Sequence, residues 1–248
     1  MINYGLMAEK VFDLSYFNGR IAVILGSGLG QFSNYLKNQI SISYNDIPGY
    51  PSSTVAGHKG ELVCGRLDNN EIIIANGRFH YYEGYSFQQV TIPIHLFKKL
   101  GIDHLIITNS SGSMNKNFSP GSLMVVKGHM DCTYRNSPNP PVIYSGPPYH
   151  DPGLIDLAFS AAKENDIELK SGNYCWTLGP SYETPAEIKD MINLGGDAVG
   201  MSTVPEIISA AELDIKVLTI SCLTNFAAGL TKTPLTHEDV VKTADTVS

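Results

Sequence analysis

Three stretches of this chain carry side chains that could do chemistry together. Gly77-Arg78-Phe79-His80-Tyr81-Tyr82-Glu83-Gly84 sets a guanidinium and an imidazole two residues apart in one loop. Both can turn to a single anion, and the guanidinium can grip it with two N–H groups. Phe79, His80, Tyr81 and Tyr82 crowd the same loop, and aromatics on a loop usually cover something. The second stretch, Gly179-Pro180-Ser181-Tyr182-Glu183-Thr184-Pro185-Ala186-Glu187, places a ring beside a carboxylate. The third, Ala198-Val199-Gly200-Met201-Ser202-Thr203-Val204-Pro205-Glu206, ends in hydroxyls at a helix start. A helix N-terminus carries partial positive charge and unpaired N–H groups, so Ser202 and Thr203 stand where an anion binds. The chemistry on offer is an anion held beside a ring and a carboxylate. Read alone, the last two stretches fit two well-capped helices equally well, and the Arg78 loop fits a solvated turn.

The elements that would position these groups are legible around them. Thr184-Pro185-Ala186-Glu187 spells a capping box, and Thr203-Val204-Pro205-Glu206 spells a second of the same form. Between them Ile188, Met191 and Ile192 share a helical face, Gly195-Gly196 stops the helix, and Ala198-Val199-Gly200 is a short buried segment. Upstream, a helix is expected over 3–17, with Leu6, Met7, Val11 and Leu14 inward. Arg20 to Leu25 is an apolar run without alternation, as buried parallel strands are. It enters Gly26-Ser27-Gly28-Leu29-Gly30, a glycine turn expected to precede a helix and to suit phosphate. The dinucleotide fingerprint needs glycine where Gln31 stands, and no Lys-Ser/Thr pair follows, so neither that motif nor a P-loop is present. By themselves these glycines fit a tight strand–helix turn as well.

Residues 61–67 and 71–75 read as a hairpin, preceded by Gly57-His58-Lys59-Gly60. The Arg78 loop then falls at a strand's end, where open α/β sheets keep their ligands. Residues 90–100 read as a helix with Pro93 in its first turn, and His95 and His104 as structural. Residues 104–108 form a buried strand running into Asn109-Ser110-Ser111-Gly112-Ser113, a polar strand end. A strand at 122–126 precedes a long irregular region from His129 to Pro152, and loops of that length are usually functional or held at an interface. A helix at 154–164, a strand at 172–178, a last strand at 216–222 and a C-terminal helix from Thr236, with Val240, Val241 and Ala244 inward, complete the reading. Strands and helices alternate throughout, which implies an α/β fold: one domain over 1–248, with a mixed, mostly parallel twisted sheet and helices on both faces.

Bulk properties narrow the function. The chain has 248 residues, 43% of them hydrophobic and 17% charged, enough for a sizeable core and unlike a disordered chain. A net charge of -7 argues against a nucleic-acid surface, so an anion must be held locally. Its arginines are only Arg20, Arg66, Arg78 and Arg135. Cys64, Cys132, Cys175 and Cys222 are far apart and form no C-x-x-C pair, which fits free thiols in a reducing compartment. No basic region followed by an apolar stretch marks a signal peptide, and no apolar run reaches the ~18 residues of a membrane helix. The expectation is a cytoplasmic protein without a membrane partner.

Gly26-Ser-Gly-Leu-Gly30, Gly57-His-x-Gly60, Gly77-Arg-Phe-His-x-Tyr-Glu-Gly84, Gly179-Pro-Ser-Tyr-Glu-Thr-Pro-Ala-Glu187 and Gly200-Met-Ser-Thr-Val-Pro-Glu206, in this order, resemble the motifs of the trimeric, low-molecular-mass purine nucleoside phosphorylases. Thr224-Asn225 before a turn and the late His237-Glu238 extend the match from about Ile21 to about Val240. The resemblance implies reversible phosphorolysis of purine nucleosides, with phosphate as a substrate, no cofactor, no metal and a homotrimer. It places phosphate on Ser27, Arg78, His80, Ser110 and Ser202, with His58 as a gate. It places the nucleoside against Tyr82, Ser111, Gly112, Tyr182, Val199, Gly200, Met201 and Thr224, with His237 at the ribose 5′-hydroxyl. Glu183 would accept from purine N1–H and Asn225 would bond N7 and O6. With His80, these two are the groups expected to act in catalysis.

Three departures from the family pattern stand out. Asn109-Ser110-Ser111-Gly112-Ser113 replaces Asn-Ala-Ala-Gly-Gly, putting hydroxyls at the pocket edge. The segment Tyr144-Ser145-Gly146-Pro147-Pro148-Tyr149-His150 is shortened where relatives carry a phenylalanine that enters the neighbouring subunit's site, and Tyr149 is the candidate substitute. The family's last helix continues further beyond the late histidine than the residues from His237 to Ser248 allow. The alternatives are methylthioadenosine phosphorylase, which would favour Thr-Thr at Ser202-Thr203 and Asp at Asn225, and a non-catalytic nucleoside-binding protein of the same fold.

Overall fold

A computed structural model describes residues 2–52, 59–135, 137–231 and 243. In chain order its main elements are α1 (Tyr4–Ser15), β1 (Ile21–Leu25), β2 (Lys37–Ser43), β3 (Glu61–Leu67), β4 (Asn70–Asn76), α2 (Phe87–Val90), α3 (Ile92–Lys99), β5 (His104–Ser113), β6 (Leu123–Asp131), β7 (Tyr144–Ser145), α4 (Pro152–Glu164), β8 (Leu169–Trp176), α5 (Pro185–Asn193), β9 (Ala198–Gly200), α6 (Val204–Glu212) and β10 (Lys216–Phe226). All ten strands join one mixed sheet, ordered β10-β6-β8-β9-β5-β1-β4-β3-β2 with β7 on β6. β10 also pairs with β5, so β5, β10, β6, β8 and β9 close into a ring. The other end stays open and runs out through the β4–β3–β2 antiparallel strands.

The placing of the cleft follows from four neighbouring parallel strands. β4 pairs parallel with β1, β1 with β5 and β5 with β10. Their C-terminal ends therefore open on one side and deliver, in turn, the Arg78 loop, Ser27, Ser110 to Gly112 and Asn225. Apolar side chains on β1, β4 and β5 pack under α1, α3 and α6 in the largest core cluster, which includes Met7, Val11, Ile24, Ile73, Ile107 and Ile207.

Several expectations change in detail. In α1 the inward residues are Met7, Val11 and Ser15, spaced four apart, whereas Leu6 and Leu14 are exposed. The apolar face is narrower than its leucines suggest. Ile192 likewise lies outside the face formed by Ile188 and Met191. The turn after β1 leads into a 3₁₀ segment at Gly30–Tyr35 rather than an α-helix, and the mostly exposed β2 was not anticipated. β5 continues through Ser113 and β6 through Asp131, so His129 sits in a strand. The expected C-terminal helix, with His237, lies outside the described residues except at Thr243, and so does His58.

Two buried polar contacts tie separate parts of the chain. Arg78 and Glu206 are 2% and 1% exposed, and Arg78 Nε stands 3.3 Å from Glu206 Oε1. This ion pair pins the first turn of α6 over the end of β4. In the second, His129 Nδ1 meets His150 Nε2 at 3.0 Å, both rings buried, with Tyr144 and Tyr149 against His129. Burial, and for His129 its neighbour as well, lowers their pKa values to about 3 for His129 and about 4 for His150.

Breaking a buried ion pair from one side strands the other charge, at about 3–5 kcal/mol. Glu206→Gln should therefore lower the melting temperature by roughly 10 °C in thermal unfolding, and a shift under about 2 °C would contradict it. For the histidine pair the folded pKa values lie below the unfolded value, so on acidification the unfolded chain takes up protons first. Their stabilisation is complete above about pH 6.5 and is lost towards pH 4, at up to about 1.4 kcal/mol per pH unit for each ring. Urea midpoints between pH 8 and 4.5 should fall less steeply for His150→Gln than for the parent chain; parallel slopes would count against it.

Candidate active site

The anion side of the cleft is built by turns that the sheet holds rigid. β1 ends against β5 so closely that a Cβ on Gly26 would come within 2.6 Å of Asn109 Cα. Glycine is needed there, and it lets Gly26 N–H bond Thr108 Oγ1 at 3.0 Å. The next residue, Ser27, is tied by its carbonyl to Ser110 Oγ at 2.7 Å. From the end of β4, buried Arg78 points Nη1 at Ser202 Oγ, 3.2 Å away, and at Thr203 Oγ1, 3.5 Å away. His80 is held by Glu83, whose Oε1 meets both the His80 N–H at 2.7 Å and Nδ1 at 3.0 Å. The Tyr82 ring stacks on His80 at 4.8 Å, and its hydroxyl pKa is pushed up to about 12, mainly by burial.

The start of α6 departs from its spelling. Thr203 has φ +80 and ψ -50, and Val204 N–H bonds Ser202 O at 2.9 Å. This is the rare, strained form of γ-turn. Thr203 caps nothing with its side chain. Its Oγ1 instead accepts from Asn109 Nδ2 at 3.1 Å and lies 3.1 Å from Ser202 Oγ. Glu206, expected to reach back and close a second capping box, faces Arg78. A strain of about 1–3 kcal/mol at such a residue persists only where its surroundings fix it, and such residues cluster at functional sites. Ser202 O also accepts from Tyr174 OH at 3.2 Å. That ring fits beneath the cleft because Gly200 has no side chain: a Cβ there would lie 2.3 Å from the Tyr174 oxygen.

The cleft is also lined by the groups that the resemblance assigns to the base. The Thr184 capping box forms as spelled, with Thr184 Oγ1 accepting from Glu187 N–H and Glu187 returning to the Thr184 N–H at 2.7 Å. It fixes the start of α5 and hence Glu183, the residue before the N-cap Thr184. Glu183 Oε1 accepts from Thr177 Oγ1 at 2.5 Å. Across from it, Asn225 is oriented from both ends of its amide: Thr224 Oγ1 donates to Oδ1 at 2.8 Å, and Nδ2 donates to Phe226 O at 3.0 Å. With this orientation one Nδ2–H remains to face a ligand. Tyr182 stands at the rim, 45% exposed.

One cleft of about 820 Å³, including its open mouth, brings these walls together. The cleft is lined by Ser27, Arg78, His80, Ser110 and Ser202, by Tyr82, Val199, Gly200 and Met201, and by Ser111, Gly112, Tyr182, Glu183, Thr224 and Asn225. Every site residue expected from sequence within the described part is thus in one place; His58 and His237 lie outside it. Sequence reading missed Ala227 and Ala228, which also line the cleft, gave no role to Thr177, Asn109 or Tyr174, and gave Glu206 the role of a helix cap. The small residues after Asn225 were a visible signal for the first two. Asn109, Tyr174 and Glu206 act through partners distant in sequence, and the contact of Thr177 with Glu183 follows no helix or strand period.

Comparison with known proteins agrees with this geometry. Residues 20–248 match the model of the phosphorylase superfamily. Purine nucleoside phosphorylase 1 of Geobacillus stearothermophilus is 44% identical over 235 residues, 92% of this chain and 86% of that protein. The Bacillus subtilis protein of the same name is 43% identical over 92% of this chain and 87% of its own length. A solved structure of Schistosoma mansoni purine nucleoside phosphorylase in complex with inosine aligns with a TM-score of 0.88 at 32% identity, covering 98% of this chain and 90% of that one. Its complex with adenosine aligns at 0.89. By sequence and by fold, the chain belongs to the phosphorylase superfamily, among the purine nucleoside phosphorylases.

Proposed function

We propose that this chain, working as one domain, catalyses the reversible phosphorolysis of 6-oxopurine ribo- and deoxyribonucleosides, a purine-salvage reaction. The observation that carries this reading is the continuity of the cleft: Arg78, His80 and Ser202, suited to an anion, line the same cleft as Tyr82, Met201, Glu183 and Asn225. In the forward direction the C1′–N9 bond breaks and its electron pair stays with the purine. Positive charge develops on the ribose and negative charge on the base. Phosphate, held on the face opposite the leaving base, stabilises the sugar cation and forms the new C1′–O bond. The products are free base and (deoxy)ribose 1-phosphate.

Each group has a role that its surroundings support. Arg78 lies buried against Ser202, so it meets a phosphate dianion with little competing water. Glu83 fixes the His80 ring for the same anion. The remaining Asn225 Nδ2–H donates to N7, where charge gathers as the bond breaks. Because the other N–H is spent on Phe226 O, only one acceptor of the base can be served in this orientation. Glu183 accepts from N1–H of a 6-oxopurine, whereas adenine presents a bare acceptor at N1. Phosphate is a substrate, and the reading assigns no metal or organic cofactor. We further propose a homotrimer in the cytoplasm; sedimentation would test the assembly.

A donor aimed at developing charge contributes about 3–4 kcal/mol. Asn225→Ala should then lose roughly 100- to 1000-fold in kcat on inosine, with a smaller change in KM. Initial rates on inosine, guanosine and adenosine, each with and without phosphate, test the whole reading. Base should be released from inosine or guanosine only when phosphate is present, and adenosine should lag by up to roughly 10⁴-fold. Cleavage without phosphate indicates a hydrolase. Preference for adenosine or methylthioadenosine overturns the assignment of Glu183 and Asn225.

A further inference from the structure

The carboxylate that faces the base is held by a residue outside the cleft lining. Thr177 directly follows β8, and its backbone N–H donates to Gly200 O at 2.9 Å, so it is locked to the end of β9. Its Oγ1 lies 2.5 Å from Glu183 Oε1 and 3.4 Å from Gly200 O. A hydroxyl has one proton to give. Gly200 O already takes the Thr177 N–H, and the carboxylate contact is far shorter, so the proton goes to Glu183. Short distances of this kind mark charge-assisted hydrogen bonds.

We infer that Thr177 is the positioning residue for base recognition, its hydroxyl committing Glu183 Oε1 to the protein so that Oε2 turns to the purine N1–H. The inference rests on the reading of Glu183 as the base-recognition group. Glu183 sits in the connection between β8 and α5, and glutamate has three rotors to order before it can present one oxygen. Thr177 is the stiffer partner: its side chain is β-branched and its backbone is fixed in the sheet. The strand end thus sets the carboxylate before substrate arrives, which removes an ordering cost from binding and from the transition state.

Thr177→Val keeps the shape and deletes the donor; Thr177→Ser keeps the donor. Steady-state kcat and KM for inosine, adenosine and phosphate would be measured for both, for Glu183→Gln and for Thr177→Val with Glu183→Gln. Thr177→Val should lose about 10- to 100-fold in kcat/KM for inosine, the range for a hydrogen bond to a charged group. The KM for phosphate and the rate on adenosine should hold, so the inosine-to-adenosine ratio falls with it. Thr177→Ser should restore the ratio, and Thr177→Val should add nothing once Glu183 is Gln. Equal losses for inosine, adenosine and phosphate would show a merely structural residue and overturn the inference. An unchanged ratio in Thr177→Val, with a collapsed ratio in Glu183→Gln, would overturn it while leaving Glu183 in place. An unchanged ratio in Glu183→Gln would overturn the base-recognition reading itself.

Discussion

The buried pairing of Arg78 with Glu206 is the constraint on which the anion end depends. A guanidinium 2% exposed needs a counter-charge, and its partner comes from the first turn of α6, far along the chain. Once that pair is made, α6 cannot slide, and the turn before it must fold back. Thr203 accepts a left-handed backbone, held by Asn109 and facing Arg78. Ser202 is thereby delivered to the guanidinium and to the helix N-terminus together. Buried donors gathered at a helix N-terminus, rather than an excess of positive charge, are what the proposed phosphate site rests on in a protein with a net charge of -7.

The same economy of rigid supports recurs at the base end. Glu183 stands on the connection after β8, and Asn225 at the C-terminal end of β10, beside the register shift between Leu223 and Asn225. Each is held by a neighbouring threonine hydroxyl, Thr177 and Thr224. The sheet supplies the fixed points: β8 and β9 for one, β5 and β10 for the other. β9 pairs directly with β5, so these two pairs of strands adjoin within the sheet and bring both supports to one cleft.

Legibility in the sequence followed the range of the interactions. The Thr184 box was readable because both partners lie within one helical turn, and it forms as written. Thr203-Val204-Pro205-Glu206 has the same spelling and a different outcome. Glu206 is claimed by Arg78 and Thr203 by Asn109, partners that no local window contains. The parallel strands β1 and β5 announced themselves as apolar runs, whereas β2 is mostly exposed and carries no such signal. The membership of the cleft was readable because its residues cluster in a few motifs at strand ends. The supports behind them were not, since Thr177, Asn109 and Tyr174 are ordinary strand or strand-end residues until the fold places them.

The central claim is that one cleft holds an anion and a nucleoside so that the anion becomes the acceptor of the sugar. Following inosine turnover in phosphate buffer by ³¹P NMR tests this most directly. A sugar 1-phosphate signal should grow in step with free hypoxanthine. Hypoxanthine released with no new phosphate ester, and free ribose in its place, would contradict it.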